Sequence, residues 1–184
     1  MEHMKSQFLN SFRELRQLRT LVVTAMMIAV AVVLGFYSVQ LTDFLKISFA
    51  FLANEVTALL FGPAVGGIMA GVADIVKYLL KPTGPFFFGF TFDAIVGGVI
   101  YGMILYRRPL TFQRIFAAKL TVMVIVNLLL NTYWLTVMYG SSMAAVLPAR
   151  IVKECLMLPV ETALLYTVVR MMTKAKIVAL LKAQ

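Results

Sequence analysis

Lys81-Pro82-Thr83-Gly84-Pro85-Phe86-Phe87-Phe88-Gly89-Phe90-Thr91 is the stretch around which the chain is organised. Two prolines within four residues forbid a continuing helix, because each lacks an amide donor and fixes φ. Gly84 and Gly89 permit the crowded or left-handed backbone of a tight reversal. Three consecutive phenylalanines follow, and apolar runs lie on both sides. The stretch therefore reads as a turn between two membrane spans, held at a bilayer face with an aromatic surface attached. Two readings stay open from these residues. The rings belong to an interfacial aromatic belt, or the loop folds over a ligand and offers it ring faces.

The 184 residues are 61% hydrophobic and 14% charged, with a mean hydropathy of +0.91. Soluble domains average about half apolar and a quarter charged, so this is a polytopic membrane protein. Its length accommodates about six spans of roughly 20 residues. No separate soluble domain fits, and no Gly-x-x-x-x-Gly-Lys-Ser/Thr phosphate loop is present. Any energy-consuming module must then sit on another chain. The one cysteine, Cys155, has no intrachain partner, and the one histidine, His3, lies in the N-terminal segment. Histidine metal sites and Ser-His or Cys-His nucleophiles are thereby excluded, and no cofactor is expected. The net charge of +9 follows membrane topology, because the cations flank apolar spans; no nucleic-acid partner is implied.

Residues 1–19 read as a cytoplasmic amphipathic lead-in, with Phe8, Phe12 and Leu15 at helical spacing. It has no small-residue cleavage site and does not read as a signal peptide. The expected spans are Thr20–Thr42, Ile47–Phe61 (short, with Glu55), Ala64–Leu80, Phe87–Tyr106, a fifth from beyond Lys119 to about Tyr139, and a sixth opened by Pro148 and ending near Val169. Gly67 and Gly71 form a small-x-x-x-small pair suited to close helix packing in lipid. Residues 170–184 form a basic tail. With the N-terminus inside, the inner side collects Lys5, Arg13, Arg16, Arg19, Arg107, Arg108, Arg114 and the tail cations. Only Lys46 and Lys81 lie near the ends of the outer loops. The expected fold is an all-α membrane protein: a single domain, a six-transmembrane-helix bundle with both termini cytoplasmic, in the plasma membrane of a prokaryote.

That orientation assigns depths. Asp74 and Lys77 fall in the outer half of the third span and Asp93 in the outer half of the fourth. Asn127, Asn131 and Trp134 share one helix face toward the outside, and Arg150, Lys153 and Glu154 open the sixth span. Glu55 and Glu161 lie closer to the midplane. Each could be explained alone: Arg150 with Glu154 at i, i+4, Asp74 with Lys77 at i, i+3, and the asparagines as interhelical glue. Four spans placing polar groups at one depth, beneath outer loops carrying Phe44 and Phe86–Phe88, instead point to a pocket open to the outside.

Four runs carry a resemblance: Leu45-Lys46-Ile47-Ser48-Phe49, Phe61-Gly62-Pro63-x-x-Gly66, Lys81-Pro82-Thr83-Gly84-Pro85 with Gly89, and Asn127-Leu-Leu-Leu-Asn131-Thr132. Over about Thr20 to Val169 the chain resembles the folate-specific S components of energy-coupling factor (ECF) transporters. The resemblance implies a six-helix bundle that captures a vitamin from outside and is not itself an enzyme. It joins a transmembrane coupling protein and two cytoplasmic ATPases, and releases its cargo by toppling in the membrane. It also implies that the Ala25-x-x-x-Ala29 stripe on the first span docks against the coupling protein. Folate has a flat pterin with a donor-rich edge and a glutamate with two carboxylates. Depth and chemistry then assign ring contact to Phe44, Phe86, Phe87, Phe88 and Trp134. Polar recognition falls to Asp93, Asn131 and Glu154, and tail neutralisation to Lys77, Lys81, Arg150 and Lys153. Riboflavin or thiamine as cargo, and a self-sufficient transporter or channel, are the competing readings; no convincing internal repeat favours the last.

Overall fold

A computed structural model describes residues 2–42, 45–82, 84–140 and 143–175, with the side chains of 2–5, 39–47 and 143–146 left aside. An amphipathic helix α1 (Glu2–Glu14) leads into α2 (Leu18–Phe36). A small antiparallel hairpin follows, β1 (Val39–Thr42) paired with β2 (Leu45–Ile47), with Val39 opposite Ile47 and an irregularity between Gln40 and Thr42. Then come α3 (Phe51–Phe61), α4 (Pro63–Leu80) and α5 (Phe88–Leu105). The next rod is continuous from Phe112 to Tyr139: α6 (Phe112–Val122), a π-helical stretch (Met123–Leu130) and α7 (Asn131–Tyr139). Last is α8 (Met143–Lys174), with Pro148 and Pro159 inside it.

Five of these rods are long and apolar enough to cross a membrane, and α3 is a shorter apolar helix among the described residues. The bundle is thus helical, as expected, with four corrections to its details. The first span does not run helically to Thr42; it stops at Phe36, and β-branched Val39, Thr42 and Ile47 go into the hairpin instead, where such residues fit a pleated surface. The second span is only α3, ~16 Å long at 1.5 Å per residue. The fifth rod begins at Phe112, seven residues before Lys119, and α8 begins five residues before Pro148.

The shortness of α3 fits its position. All residues from Glu55 to Phe61 are buried, so α3 is the central post on which α2, α4 and α5 pack. The sharp reversal into α4 uses Gly62 at φ 90°, a backbone state open to glycine, with Pro63 at the first helical position, where a missing amide costs nothing. The amides left free at the start of α4 are satisfied from another helix. Ser11 of α1, fully buried, accepts from the amides of Ala64 and Val65 at 3.1 Å each and donates to the Phe61 carbonyl at 2.7 Å. Arg107, in the turn after α5, stands 3.7 Å from Glu14 and adds a second tie to α1.

The tightest seam is between α4 and α5. Gly67 and Gly71 meet Ile95 and Val99, and a Cβ placed at Gly98 would stand 2.5 Å from the carbonyl oxygen of Gly66. Backbone against backbone leaves no flexible atom to yield. Its neighbour Gly97 would meet only Val122, at 3.8 Å. Gly98→Ala should therefore lower the thermal midpoint in detergent strongly, by the 1–3 kcal/mol or more of an overpacked core, whereas Gly97→Ala should stay close to the unsubstituted protein. Equal midpoints for the two variants would mean the seam opens more readily than its geometry implies.

Candidate functional site

A chamber of about 480 Å³ lies between the rods, with walls drawn from α2, α3, α4, α5, the long Phe112–Tyr139 rod and α8. That volume is in the range of small-molecule sites. Exposed Lys81, Gly84, Pro85 and Phe86 lie at one end, and Glu55, Gly98, Tyr101 and Glu161 line the other. The opening sequence stretch thus forms one rim. Gly84, at φ 122°, turns the chain there, and its carbonyl accepts from Tyr78 OH at 3.2 Å. The Tyr78 and Phe86 rings stand 5.0 Å apart, and Phe87 packs on Trp134 at 5.6 Å. Gly89 has to be glycine for this packing, because a Cβ would fall 2.7 Å from the Trp134 ring.

The polar groups lie in two tiers. In the upper tier Trp134 Nε1 donates to Asp93 Oδ1 at 3.0 Å, and Thr91 donates to Asp74 at 2.9 Å. Glu154 accepts from Asn127 Nδ2 at 2.9 Å and from Lys153 at 2.8 Å. Arg150 donates to the Asn127 carbonyl at 2.9 Å. That carbonyl belongs to the π-helical stretch, whose wider turns are frequent at functional sites. Asp74 and Lys77 pair at 3.8 Å, and Lys81 Nζ donates to the Phe36 carbonyl at 2.9 Å.

The lower tier is an ion triad. Lys119 Nζ stands 2.7 Å from Glu55 and 2.9 Å from Glu161, with the Phe51 ring 3.8 Å away. Lys119 and Glu55 are each only 2% exposed. Two carboxylates share one ammonium, so the lower tier is acidic where the upper one is rich in cations.

Nine of the twelve binding residues expected from sequence line this chamber: Lys77, Lys81, Phe86, Phe87, Asp93, Asn131, Arg150, Lys153 and Glu154. Trp134 is not on the lining; it stands behind it, holding Asp93 and Phe87. Phe88 is 65% exposed and off the lining, and Phe44 lies outside the described residues. Ala25 and Ala29 are exposed on α2. Sequence reasoning missed Asn54, Tyr78 and Tyr101 on the lining and the role of Lys119. A signal for the last existed: two midplane glutamates without a partner and one lysine on the span between them.

A chamber with charged tiers, enclosed by apolar rods, defines a membrane protein that takes up a small polar solute within the bilayer. Residues 19–169 match the family of ECF transporter substrate-specific components, and the chain belongs to that family. It is 31% identical over 164 residues to "Folate transporter FolT" of Clostridium novyi (strain NT), covering 89% of this chain and 95% of that one. It is also 31% identical over 154 residues to "Folate transporter FolT" of Leuconostoc mesenteroides, covering 80% and 83%. A solved structure described as FolT bound with folic acid superposes with a TM-score of 0.77 at 36% identity, covering 83% of this chain and 93% of that one.

Proposed function

We propose that this chain captures folate from outside the cell and delivers it inward as the substrate-specificity subunit of an ATP-driven ECF transporter. The observation that carries this reading is the chamber itself, cation-rich in one tier and acidic in the other, in a chain whose relatives are named for folate. Folate has the matching polarity, with two carboxylates at one end and a donor-bearing pterin edge at the other. Lys77, Lys81, Arg150 and Lys153 neutralise the glutamate tail. Phe86 and Phe87 offer ring faces, and Asp93, Asn131 and Glu154 accept or donate to the polar edges.

Arg150 is the residue to test first, being 7% exposed and on the lining. Arg150→Ala should weaken folate binding in calorimetric titration by about 2 kcal/mol, near 30-fold, as a carboxylate loses a buried charged partner. Unsubstituted protein that ignores folate would end the folate reading. An unaltered affinity in the variant would move the carboxylate elsewhere.

In this reading the chain passes the plasma membrane of a prokaryote six times, with α3 as the short second crossing and both termini in the cytoplasm. The cation distribution supports the orientation, since Arg107, Arg108 and Arg114 lie on one connection. Single cysteines at Gln113 and at Pro82, both exposed, in a Cys155→Ser background, should label from opposite sides of sealed vesicles. Labelling from one side would overturn the orientation.

ATP hydrolysis belongs to two partner ATPase subunits, reached through a transmembrane coupling protein. The uncovered Ala25 and Ala29 stripe on α2 suits that contact, because small residues let helix backbones approach closely in lipid. Neither alanine lines the chamber. Ala25→Trp or Ala29→Trp should then leave folate binding by the isolated chain within about twofold, yet abolish ATP-driven uptake into vesicles holding all subunits. Normal uptake would mean the stripe faces lipid only.

A further inference from the structure

A second cavity, of about 340 Å³, lies between the turn after α5 and the last turns of α8. The 18 residues of α5, ~27 Å of helix, separate it from the Lys81–Phe86 rim of the chamber. Leu110, Tyr166 and Val169 form its apolar side, and Arg108, Arg170 and Thr173 its polar side. Val169 belongs to the buried core, with Leu110 and Tyr166 packed against it, so the apolar side is part of the bundle itself. The Thr173 hydroxyl already donates to the Val169 carbonyl at 2.8 Å. Among the described residues no carboxylate lines the cavity, and two guanidinium groups do.

Backbone and charge both prepare this end for an anion. Arg107, at φ 54°, is the one described residue other than glycine with a positive φ, a state uncommon for a residue that carries a side chain. Two successive arginines go different ways there. Arg107 stands 3.7 Å from Glu14 and lies over the Tyr106 ring at 5.1 Å, whereas Arg108 lines the cavity. From Arg170 to Gln184 the sequence adds Lys174, Lys176 and Lys182 and no Asp or Glu. An apolar stripe also leaves the cavity along α6. Phe112, Phe116 and Leu120 are exposed and spaced one helical turn apart, so they share a face. Phe112 meets Tyr166 edge to face at 5.7 Å. The stripe therefore begins at the lip of the cavity and runs toward the middle of the bundle.

We propose that this cavity holds the phosphate of an anionic phospholipid, with Arg108 and Arg170 as its partners and an acyl chain laid along Phe112, Phe116 and Leu120. Guanidinium groups pair with phosphate oxygens through charge-assisted hydrogen bonds, and basic pockets between membrane helices receive lipid headgroups in this way. Free phosphate would meet the same two arginines but make no use of the apolar stripe, which is why the occupant is a lipid. In the orientation given above it belongs to the cytoplasmic leaflet. Bound there, it joins the end of α8 to the turn between α5 and α6. Neither arginine lines the cargo chamber, so the site is independent of which cargo the chamber takes.

The test is native mass spectrometry of the purified full chain, released from micelles doped with phosphatidylglycerol or with phosphatidylcholine. Both lipids carry a phosphodiester, and only the first is net anionic. The unsubstituted protein should retain one phosphatidylglycerol at least about tenfold more tightly than phosphatidylcholine. Arg108→Gln and Arg170→Gln should each weaken that retention by about tenfold or more, as for loss of a hydrogen bond to a charged group. Arg114→Gln removes the same charge from the same connection but from outside the cavity. It should weaken retention by no more than about threefold, the scale of diffuse attraction to one surface cation. Millimolar inorganic phosphate should leave the lipid in place. Thermal midpoints in lipid-free detergent report whether each variant is folded; if Arg108→Gln is not, Arg170→Gln at the exposed end of α8 carries the test. No preference for phosphatidylglycerol, undiminished retention in either folded cavity variant, or an equal loss in Arg114→Gln each overturns the proposal. Displacement by inorganic phosphate overturns it too, and leaves a site for free anions.

Discussion

Lys119 is buried in an apolar bundle, and Glu55 and Glu161 reach its ammonium from two other rods. An isolated charge within a bilayer costs several kcal/mol, and removing one partner of a buried set leaves that cost uncompensated. The triad therefore ties α3, α6 and α8 together at one height. It also decides where the chamber ends. Above the triad, polar groups converge from four rods; toward the α3–α4 turn, the interior is apolar, built on Val56, Leu59, Leu60, Phe61, Val65 and Leu105. The chamber is a consequence of collecting polar groups that lipid will not accept.

A second constraint makes the collection possible. The α4–α5 seam closes backbone to backbone at Gly66 with Gly98 and at Pro63 with Gly102, while Gly67 and Gly71 make room for Ile95 and Val99, so these two rods behave as one wall. The opposite wall is looser in kind: a π-helical stretch meets α8, and the Asn127 carbonyl is shared by Arg150 and the Thr132 hydroxyl. One side of the chamber is set by close packing and the other by hydrogen bonds.

Much of this was legible in the residues. Charge placement and apolar run lengths define the rods, and the coincidence of polar depth on four spans brings Lys77, Asp93, Asn131, Arg150 and Glu154 to one chamber. Features set by tertiary context were not. Nothing in Met123–Leu130 marks a π-helix, since its composition suits an α-helix equally. The hairpin at Val39–Ile47 was missed because the stretch carries no charge as far as Thr42, although Val39-Gln40-Leu41-Thr42 alternates apolar and polar as a strand does. Trp134 was credited with ring contact because its helix face was right; one wall residue nearer, Phe87 stands between. The fifth span was expected to begin only beyond Lys119, because the sequence does not show the seven residues of helix that precede it.

Ser11 has a consequence for the N-terminal segment as a whole. An amphipathic basic helix ahead of a first span reads as a float on the membrane surface, replaceable by any other of similar polarity. Here its hydroxyl completes the start of α4 and bonds the last carbonyl of α3. The segment is a keystone set into the reversal between two helices, and its position reports on their junction. Whatever tilts α3 and α4 must carry α1 with them or break the three hydrogen bonds of the Ser11 hydroxyl.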